Sequence, residues 1–109
     1  MNYQVKILEQ AEHDLFDIYY YIAYHDDKEK ALNLLNKLEE SCLSLDNMPQ
    51  RGVIPQELSK IGVLDYLQII CFNYRILYLI DNDQVFIYAV LDGRRDMQQL
   101  LEQRLLRHD

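Results

Sequence analysis

The sequence has few of the features that would mark a membrane, secreted or metal-binding protein. No uninterrupted apolar run approaches the roughly 18 residues that a membrane-spanning helix needs. The N-terminal residues lack the basic region, long apolar stretch and small-residue cleavage site of a signal peptide. The two cysteines, Cys42 and Cys71, form no CxxC motif and have no histidine companion. We therefore expect a cytoplasmic protein with two buried, reduced thiols, no metal and no cofactor.

Positive charge is also scarce, and it is unevenly distributed along the chain. The 109 residues include 11 Lys and Arg against 18 Asp and Glu, which gives a net charge of −7. Residues 1–50 hold ten acidic and four basic residues, whereas residues 94–108 hold four arginines and two acids. Affinity for nucleic acid comes mainly from phosphate neutralisation by Lys and Arg. We therefore expect a protein partner rather than strong direct binding to nucleic acid.

The most informative stretch of the chain runs from residue 66 to residue 97. Its first 26 residues are almost all β-branched, aromatic or aliphatic, with breaks at Asn73 and at residues 81–83. Such runs, separated by Asn and Asp turns, predict consecutive antiparallel strands. The run ends at Asp92-Gly93-Arg94-Arg95-Asp96, which leaves two arginines at the end of the last strand. Residues 2–8 alternate apolar and polar side chains, which predicts a further short strand.

Helical spacing of apolar residues predicts three helices. The first covers about residues 9–24, the second carries its apolar stripe from Ala31 to Leu45, and the third has about ten residues from Met97. The short link between the first two predicts an antiparallel hairpin. Residues 46–65 hold both prolines and two of the three glycines, which indicates a long ordered loop. We predict a single α+β domain over residues 1–109, in the order β-α-α-β-β-β-α, with a helix hairpin packed on a mostly antiparallel sheet and the helices on one face of that sheet.

Four tyrosines crowd the end of the first predicted helix. They are Tyr19, Tyr20, Tyr21 and Tyr24. A single helix cannot bury all four, because its core-facing stripe covers only part of its circumference. We therefore expect some of these side chains to contact a partner.

Six short motifs follow one another along nearly the whole chain. They are Asp14-Leu15-Phe16-Asp17-Ile18, Tyr21-Ile22-Ala23, Pro49-Gln50-Arg51-Gly52, the approach from Gly62 to Tyr66, Tyr74-Arg75-Ile76-Leu77-Tyr78 and Val90-Leu91-Asp92-Gly93-Arg94-Arg95-Asp96. This set resembles the ParE/RelE family of toxins from bacterial type II toxin–antitoxin pairs. The resemblance implies a compact toxin that is held inactive by a small antitoxin, ParD-like or RelB-like. It also implies one of two targets, because ParE-type members inhibit DNA gyrase and RelE-type members cleave messenger RNA on the ribosome.

One departure from the family pattern bears on the choice of target. Where family members commonly have Tyr-Arg-Glu, this chain has Tyr66-Leu67-Gln68, so a basic residue of the RelE-like active site is replaced by leucine. The sequence places none of the histidines, His13, His25 and His108, near the basic family positions. Asp92 could act as a base only with a raised pKa, and the two adjacent arginines should lower its pKa.

Two hypotheses follow from the resemblance and these residues. The first is a ParE-like, non-enzymatic toxin that binds a protein target, DNA gyrase, and uses the tyrosine group to bind its antitoxin. Its target-binding residues would be Arg75, Arg94, Arg95 and Arg104. The alternative is a RelE-like ribonuclease whose active site contains Arg75, Asp92, Arg94 and Arg95. Purely structural roles are the alternative: Arg94 and Arg95 would pair with the acids Asp92, Asp96 or Glu102, and Arg75 would point outward from an open sheet face.

Overall fold

The computed structural model describes residues 2–106, and its elements follow the predicted order with one short helix added in the long loop. The described elements are β1 (Gln4–Ile7), α1 (Glu9–His25), α2 (Lys28–Leu43), α3 (Gln56–Ser59), β2 (Leu67–Cys71), β3 (Tyr74–Asp81), β4 (Gln84–Asp92) and α4 (Met97–Leu101), which continues as a π-helical turn over Glu102–Leu106. Within the described residues, no helix is both long enough and apolar enough to cross a membrane.

The four strands form one mixed sheet in the order β1-β4-β3-β2. Strands β2, β3 and β4 pair antiparallel through two-residue turns, and β1 pairs parallel to β4 from Gln4 opposite Gln84 to Ile7 opposite Ile87. No hairpin turn connects β1 to β4, so the sequence did not predict whether the two strands run parallel or antiparallel. The predicted α+β fold, with a helix hairpin on a mostly antiparallel sheet, is confirmed.

Helices cover both faces of the sheet rather than one face. The α1–α2 hairpin packs on the first face, where Leu15 and Leu38 join Ile76 and Ile87 in one buried cluster. On the second face α3 and α4 cover the strands, and their side chains form another cluster with the sheet: Leu58, Leu77, Ala89, Leu91, Met97, Leu101 and Leu105. The expectation that helices lie on one face only is therefore wrong. The long apolar runs of β3 and β4 are typical of strands that are buried on both faces.

The loop before β2 is held against the edge of the sheet. Val53 and Gln68 exchange two backbone hydrogen bonds of 2.8 and 3.1 Å, so the loop briefly continues the sheet beyond β2. The fully buried Tyr78 hydroxyl donates a hydrogen bond of 2.5 Å to the Pro49 carbonyl. A Cβ atom on Gly52 would lie 2.1 Å from that hydroxyl oxygen. Position 52 therefore requires glycine, because the loop packs too closely against Tyr78 to leave room for a Cβ atom.

The two cysteines differ in their surroundings. Cys42 is fully buried in the hairpin-side core, and burial raises the pKa of its thiol to about 12. Cys71 is only half-buried, so the expectation of two buried thiols holds for Cys42 alone. Both are free thiols in the structure.

Candidate functional site

Helix α1 runs alongside β4, and this arrangement places the tyrosines and the arginines at one end of the molecule. The Leu8 amide donates to the Ile87 carbonyl at 3.0 Å, and the Val90 amide donates to the Asp14 carboxylate at 3.0 Å. From Asp14 to Tyr21 the helix rises about 10 Å. Strand β4 ends at Asp92, in the turn that holds Arg94, and Tyr21 is near enough to contribute to the raised pKa of Arg94, mainly caused by its hydrogen bond to Asp92. Tyr21 and Arg94 therefore lie close together, although 73 residues separate them in the sequence.

Arg94 is held by Asp92 in a compact turn. Its Nη2 lies 2.7 Å from Asp92 Oδ2, and its Nε and backbone N each lie 3.0 Å from Oδ1. The hydrogen bonds and charge of Arg94 outweigh partial burial and lower the pKa of the Asp92 carboxyl. Asp92 is therefore ionised near neutral pH and already paired, which suits it poorly to act as a general base.

Arg95 differs from Arg94 although the two are adjacent. Its backbone amide donates to the Asp92 carbonyl at 3.2 Å, which completes the turn. Its side chain is exposed and makes no ion pair or hydrogen bond within residues 2–106. The suggested pairing with a neighbouring acid is thus seen for Arg94 and not for Arg95.

Arg75 lies on the opposite face of the sheet from Asp92. In the register of β3 and β4, Asp92 pairs with Tyr74 of the hairpin-side core and Arg75 pairs with Leu91 of the α4-side core. Successive side chains on a strand point to opposite faces. The side chain of Arg75 therefore points to the opposite face of the sheet from that of Asp92.

The guanidinium of Arg75 is engaged in a half-buried polar cluster. It lies 2.9 Å from Glu57 Oε1 on α3 and 3.4 Å from Gln68 Oε1 on β2. Burial alone would raise the pKa of Glu57, but the hydrogen bond and charge of Arg75 outweigh it and lower that pKa. Arg75 therefore does not point outward from an open sheet face, as one interpretation of the sequence expected. Helix α3, which was not predicted, covers this face of the sheet and supplies Glu57 as its partner.

Arg104 forms the best-defined ion pair in the described structure. Its two Nη atoms each lie 2.9 Å from one carboxylate oxygen of Asp14, and Nη2 lies 3.4 Å from the Tyr88 carbonyl. Asp14 also accepts the Val90 amide, so the pair covers the edge of β4 where β1 has ended. Edges left open in this way invite unwanted strand pairing. Arg104 therefore has a structural role at this edge of the sheet.

The residues predicted for a ribonuclease site are not brought together. Arg75 points to the opposite face of the sheet from Asp92, although its side chain also lies beside Gly93. Leu67 packs against the hairpin-side core. His13 and His25 lie exposed along α1; His108 lies outside the described residues.

Three of the four tyrosines are strongly exposed at the end of α1. Tyr20, Tyr21 and Tyr24 are 63%, 64% and 86% exposed, whereas Tyr19 is half-buried. The ring of His25 lies between two of them, 4.4 Å from Tyr21 and 5.0 Å from Tyr24 between centroids. These rings leave an open depression of about 550 Å³. We call Tyr20, Tyr21, Tyr24, His25, Arg94 and Arg95 the tyrosine–arginine surface.

Sequence reasoning missed the acidic partners that hold the arginines in place. Asp14 and Arg104 are 90 residues apart, and Glu57 and Arg75 are 18 residues apart. Neither spacing is a local signal, because each pair forms only when helices pack on the sheet. Asp14 does stand in one of the motifs quoted above, and its contact with the Val90 amide explains why an acid is needed there.

The fold is that of a small α+β protein with helices on both faces of a four-stranded mixed sheet. A family model described as the ParE toxin of the type II toxin–antitoxin system parDE matches residues 5–97. The chain therefore belongs to the ParE toxin family, as the sequence motifs predicted.

Solved structures agree with this assignment at the level of the fold. The chain is similar to a chromosomal ParDE toxin–antitoxin system from P. aeruginosa, with 17% identity, a TM-score of 0.68, and coverage of 81% of this chain and 92% of the other. It is also similar to the toxin–antitoxin complex RelBE2 from Mycobacterium tuberculosis, with 22% identity, a TM-score of 0.61, and coverage of 84% and 92%. At these identities the likeness establishes the fold alone. A comparison with curated protein sequences gives no match.

Proposed function

We propose that this ParE-family toxin inhibits a protein target, DNA gyrase, by direct contact through the tyrosine–arginine surface and without cleaving RNA. The observation that carries the proposal is that exposed aromatic rings lie at the same end of the molecule as Arg94, which is close to Tyr21 and is followed by the exposed Arg95. Tyrosine and arginine are the residues most enriched among the energetic anchors of protein interfaces. Target contact also suits the net charge of −7 better than binding to nucleic acid does.

The same geometry argues against the ribonuclease alternative. Cleavage through a 2′-hydroxyl needs a base, an acid and a cation around one phosphate. Arg75 is tied to Glu57 on one face of the sheet, while Asp92 has a lowered pKa and is tied to Arg94 on the other. Both groups are thus engaged with other side chains, which argues against their use as the cation and the base of such a site.

The decisive experiment compares a double substitution on this surface with a matched control. Arg94→Ala with Arg95→Ala should abolish growth inhibition and the inhibition of gyrase supercoiling, because both exposed cations are lost from the contact. Lys60→Ala, an exposed cation at the end of α3, should leave both activities unchanged. Thermal unfolding should be nearly the same for all three proteins, since exposed charges contribute little to stability.

Ribosome-bound messenger RNA provides the opposing readout. The purified toxin should leave it intact. Cuts at codon positions, lost on Arg75→Ala and accompanied by normal supercoiling, would reject gyrase as the target and support the ribonuclease alternative. If the wild-type chain is inactive in both assays, the toxin is degenerate, and Leu67→Arg is the substitution that tests for regained activity.

We also propose that a small ParD-like or RelB-like antitoxin neutralises this toxin. The two similar structures are described as toxin–antitoxin assemblies, and the exposed tyrosines are an apolar surface suited to such a partner. Co-expression with the small protein encoded beside this chain should give a complex that co-purifies and relieves growth inhibition. A chain that is equally soluble and harmless alone, and that forms no complex on co-expression, would contradict this part.

A further inference from the structure

The turn that carries the two exposed arginines is fixed at both of its ends. We call residues 92–96 the arginine turn. Near its start, the Gly93 amide donates to the Asn73 carbonyl at 2.8 Å, which ties the end of β4 to the beginning of β3. At its end, Asp96 caps α4, because its side chain accepts the Gln99 amide at 3.3 Å. The position of both arginines therefore depends on how β3 and α4 are held relative to each other.

A polar cluster on the α4-side face of the sheet joins these two elements. Arg75 of β3 donates to Glu57 Oε1 of α3 at 2.9 Å. The backbone carbonyl of Glu57 accepts a hydrogen bond of 2.9 Å from Gln98 Nε2 of α4, and the same nitrogen donates to Glu102 Oε2 at 2.7 Å. Glu57 thus connects β3, through its side chain, to α4, through its backbone. The cluster is half-buried, where hydrogen bonds are electrostatically stronger than in water.

The side chain of Arg75 also lies directly against the arginine turn. A Cβ atom on Gly93 would lie 3.4 Å from Arg75 Nε and 3.5 Å from Arg75 Cγ. The stem of Arg75 thus flanks the backbone of Gly93, while its Nη1 is held by Glu57. The ion pair therefore fixes the side chain against which the turn packs.

Arg75 itself is poorly placed to bind a target. Its side chain is 22% exposed and that of Glu57 is 21% exposed, whereas the side chain of Arg94 is 71% exposed. To bind a target, the guanidinium of Arg75 would have to leave its carboxylate partner, and breaking a half-buried pair is costly. The sequence suggested that Arg75 binds the target directly. Its position in the structure favours an indirect role.

We propose that Arg75 is a positioning residue: with Glu57 and Gln98, it holds the arginine turn in the orientation that presents its two guanidinium groups to the target. This inference rests on the proposed function, and it assigns to Glu57 an effect on target binding without any contact. Loss of Glu57 should harm inhibition as much as loss of Arg75, although the two residues have opposite charges.

The first test is a double-mutant cycle, measured as the toxin concentration that halves gyrase supercoiling. Arg75→Ala and Glu57→Ala should each raise this concentration about tenfold, and the double variant should raise it no further, because both changes break the same connection. Glu57→Gln keeps an acceptor of the same shape and should raise it less than Glu57→Ala does. If Arg75 touched the target, Glu57→Ala would free its guanidinium and leave inhibition unchanged or stronger. That result would overturn the proposal.

A matched variant separates positioning from a general loss of stability. Tyr78→Phe removes a buried hydrogen bond on the same strand, three residues beyond Arg75. Like Arg75→Ala, it should lower the thermal midpoint, but it should leave the half-inhibitory concentration unchanged. A rise equal to that of Arg75→Ala would show that stability controls inhibition, and it would overturn the proposal.

The second test needs no target. The Arg95 amide donates to the Asp92 carbonyl inside the arginine turn. Its hydrogen exchange should quicken about tenfold or more in Arg75→Ala and Glu57→Ala, because the turn opens more often, and should stay unchanged in Tyr78→Phe. Unchanged exchange in the first two variants would overturn the positioning role. If exchange quickens but the wild-type toxin leaves supercoiling unaffected, the proposed function is rejected, while the positioning of the turn by Arg75 stands.

Discussion

Gly52→Ala tests whether the loop before β2 is as tightly placed as the structure indicates. The added Cβ would lie 2.1 Å from the Tyr78 hydroxyl oxygen and 2.9 Å from the Gln68 carbonyl oxygen. Neither neighbour can give way easily. Tyr78 is fully buried and bonded to the Pro49 carbonyl, and the Gln68 carbonyl belongs to the backbone of β2. The loop must therefore move away from the sheet edge to accept even one methyl group.

The size of this effect follows from the two contacts. Overpacking a well-packed site costs about 1–3 kcal/mol, and a clash with rigid backbone belongs at the upper end, so we expect a loss of about 3 kcal/mol. That is a large fraction of the roughly 5–15 kcal/mol that stabilises a domain of this kind. Urea unfolding should show a lower midpoint with an unchanged slope.

A matched glycine and a double substitution make the cause identifiable. Gly62 has a left-handed φ of 82° and open space around its missing Cβ, so Gly62→Ala should cost only about 1 kcal/mol, from backbone strain. Tyr78→Phe removes the clashing oxygen but leaves the Pro49 carbonyl without its donor, at about 1–3 kcal/mol. Combined with Gly52→Ala it should cost less than the sum of the two single changes, by about 1 kcal/mol or more. Strict additivity, or a Gly52→Ala protein as stable as wild type, would refute the assigned contact.

Two further predictions concern the strained turn and the ion pair on the edge of β4. Phe72 stands first in the turn between β2 and β3 with a left-handed φ of 56°. Phe72→Asn should raise the free energy of unfolding by about 1 kcal/mol, because asparagine tolerates this conformation and a bulky aromatic residue rarely adopts it; an unchanged urea midpoint would contradict this. The reciprocal Asn82→Phe should destabilise the protein by a similar amount in the same urea assay. Asp14→Asn should lower the free energy of unfolding by about 2 kcal/mol in a thermal melt, because it leaves the half-buried Arg104 unpaired. This is less than the loss expected for a fully buried pair, since both side chains are partly exposed. A loss below about 0.5 kcal/mol would show that the pair does not stabilise this edge.

The elements of the fold were predictable because their signals are local. The change from alternating to helical spacing near Glu9 marks where β1 gives way to α1, and Asn73 and Asn82 mark the two tight turns of the meander. The covering of the second sheet face was not predicted. Helix α3 has only four residues and stands in a loop rich in proline and glycine, so it shows no helical period of its own.

The candidate site was only partly predictable for a related reason. Counting side chains on one helix predicted that some of the four tyrosines are exposed, and only the structure identifies them as Tyr20, Tyr21 and Tyr24. The differing states of the arginines were not predictable. Arg75, Arg94 and Arg104 each meet a carboxylate, and two of those partners come from distant parts of the chain.

By itself the sequence determined the strand and helix segments, the uneven charge and the membership of a toxin family, because each depends on the order of neighbouring residues and on short motifs. Only the tertiary structure decided which charged groups are neutralised and which surfaces are continuous. Packing of α1 along β4 joins Tyr21 to Arg94, and packing of α3 on the sheet pairs Glu57 with Arg75. Such contacts depend on distances across the sheet, which the spacing of residues along the chain does not encode.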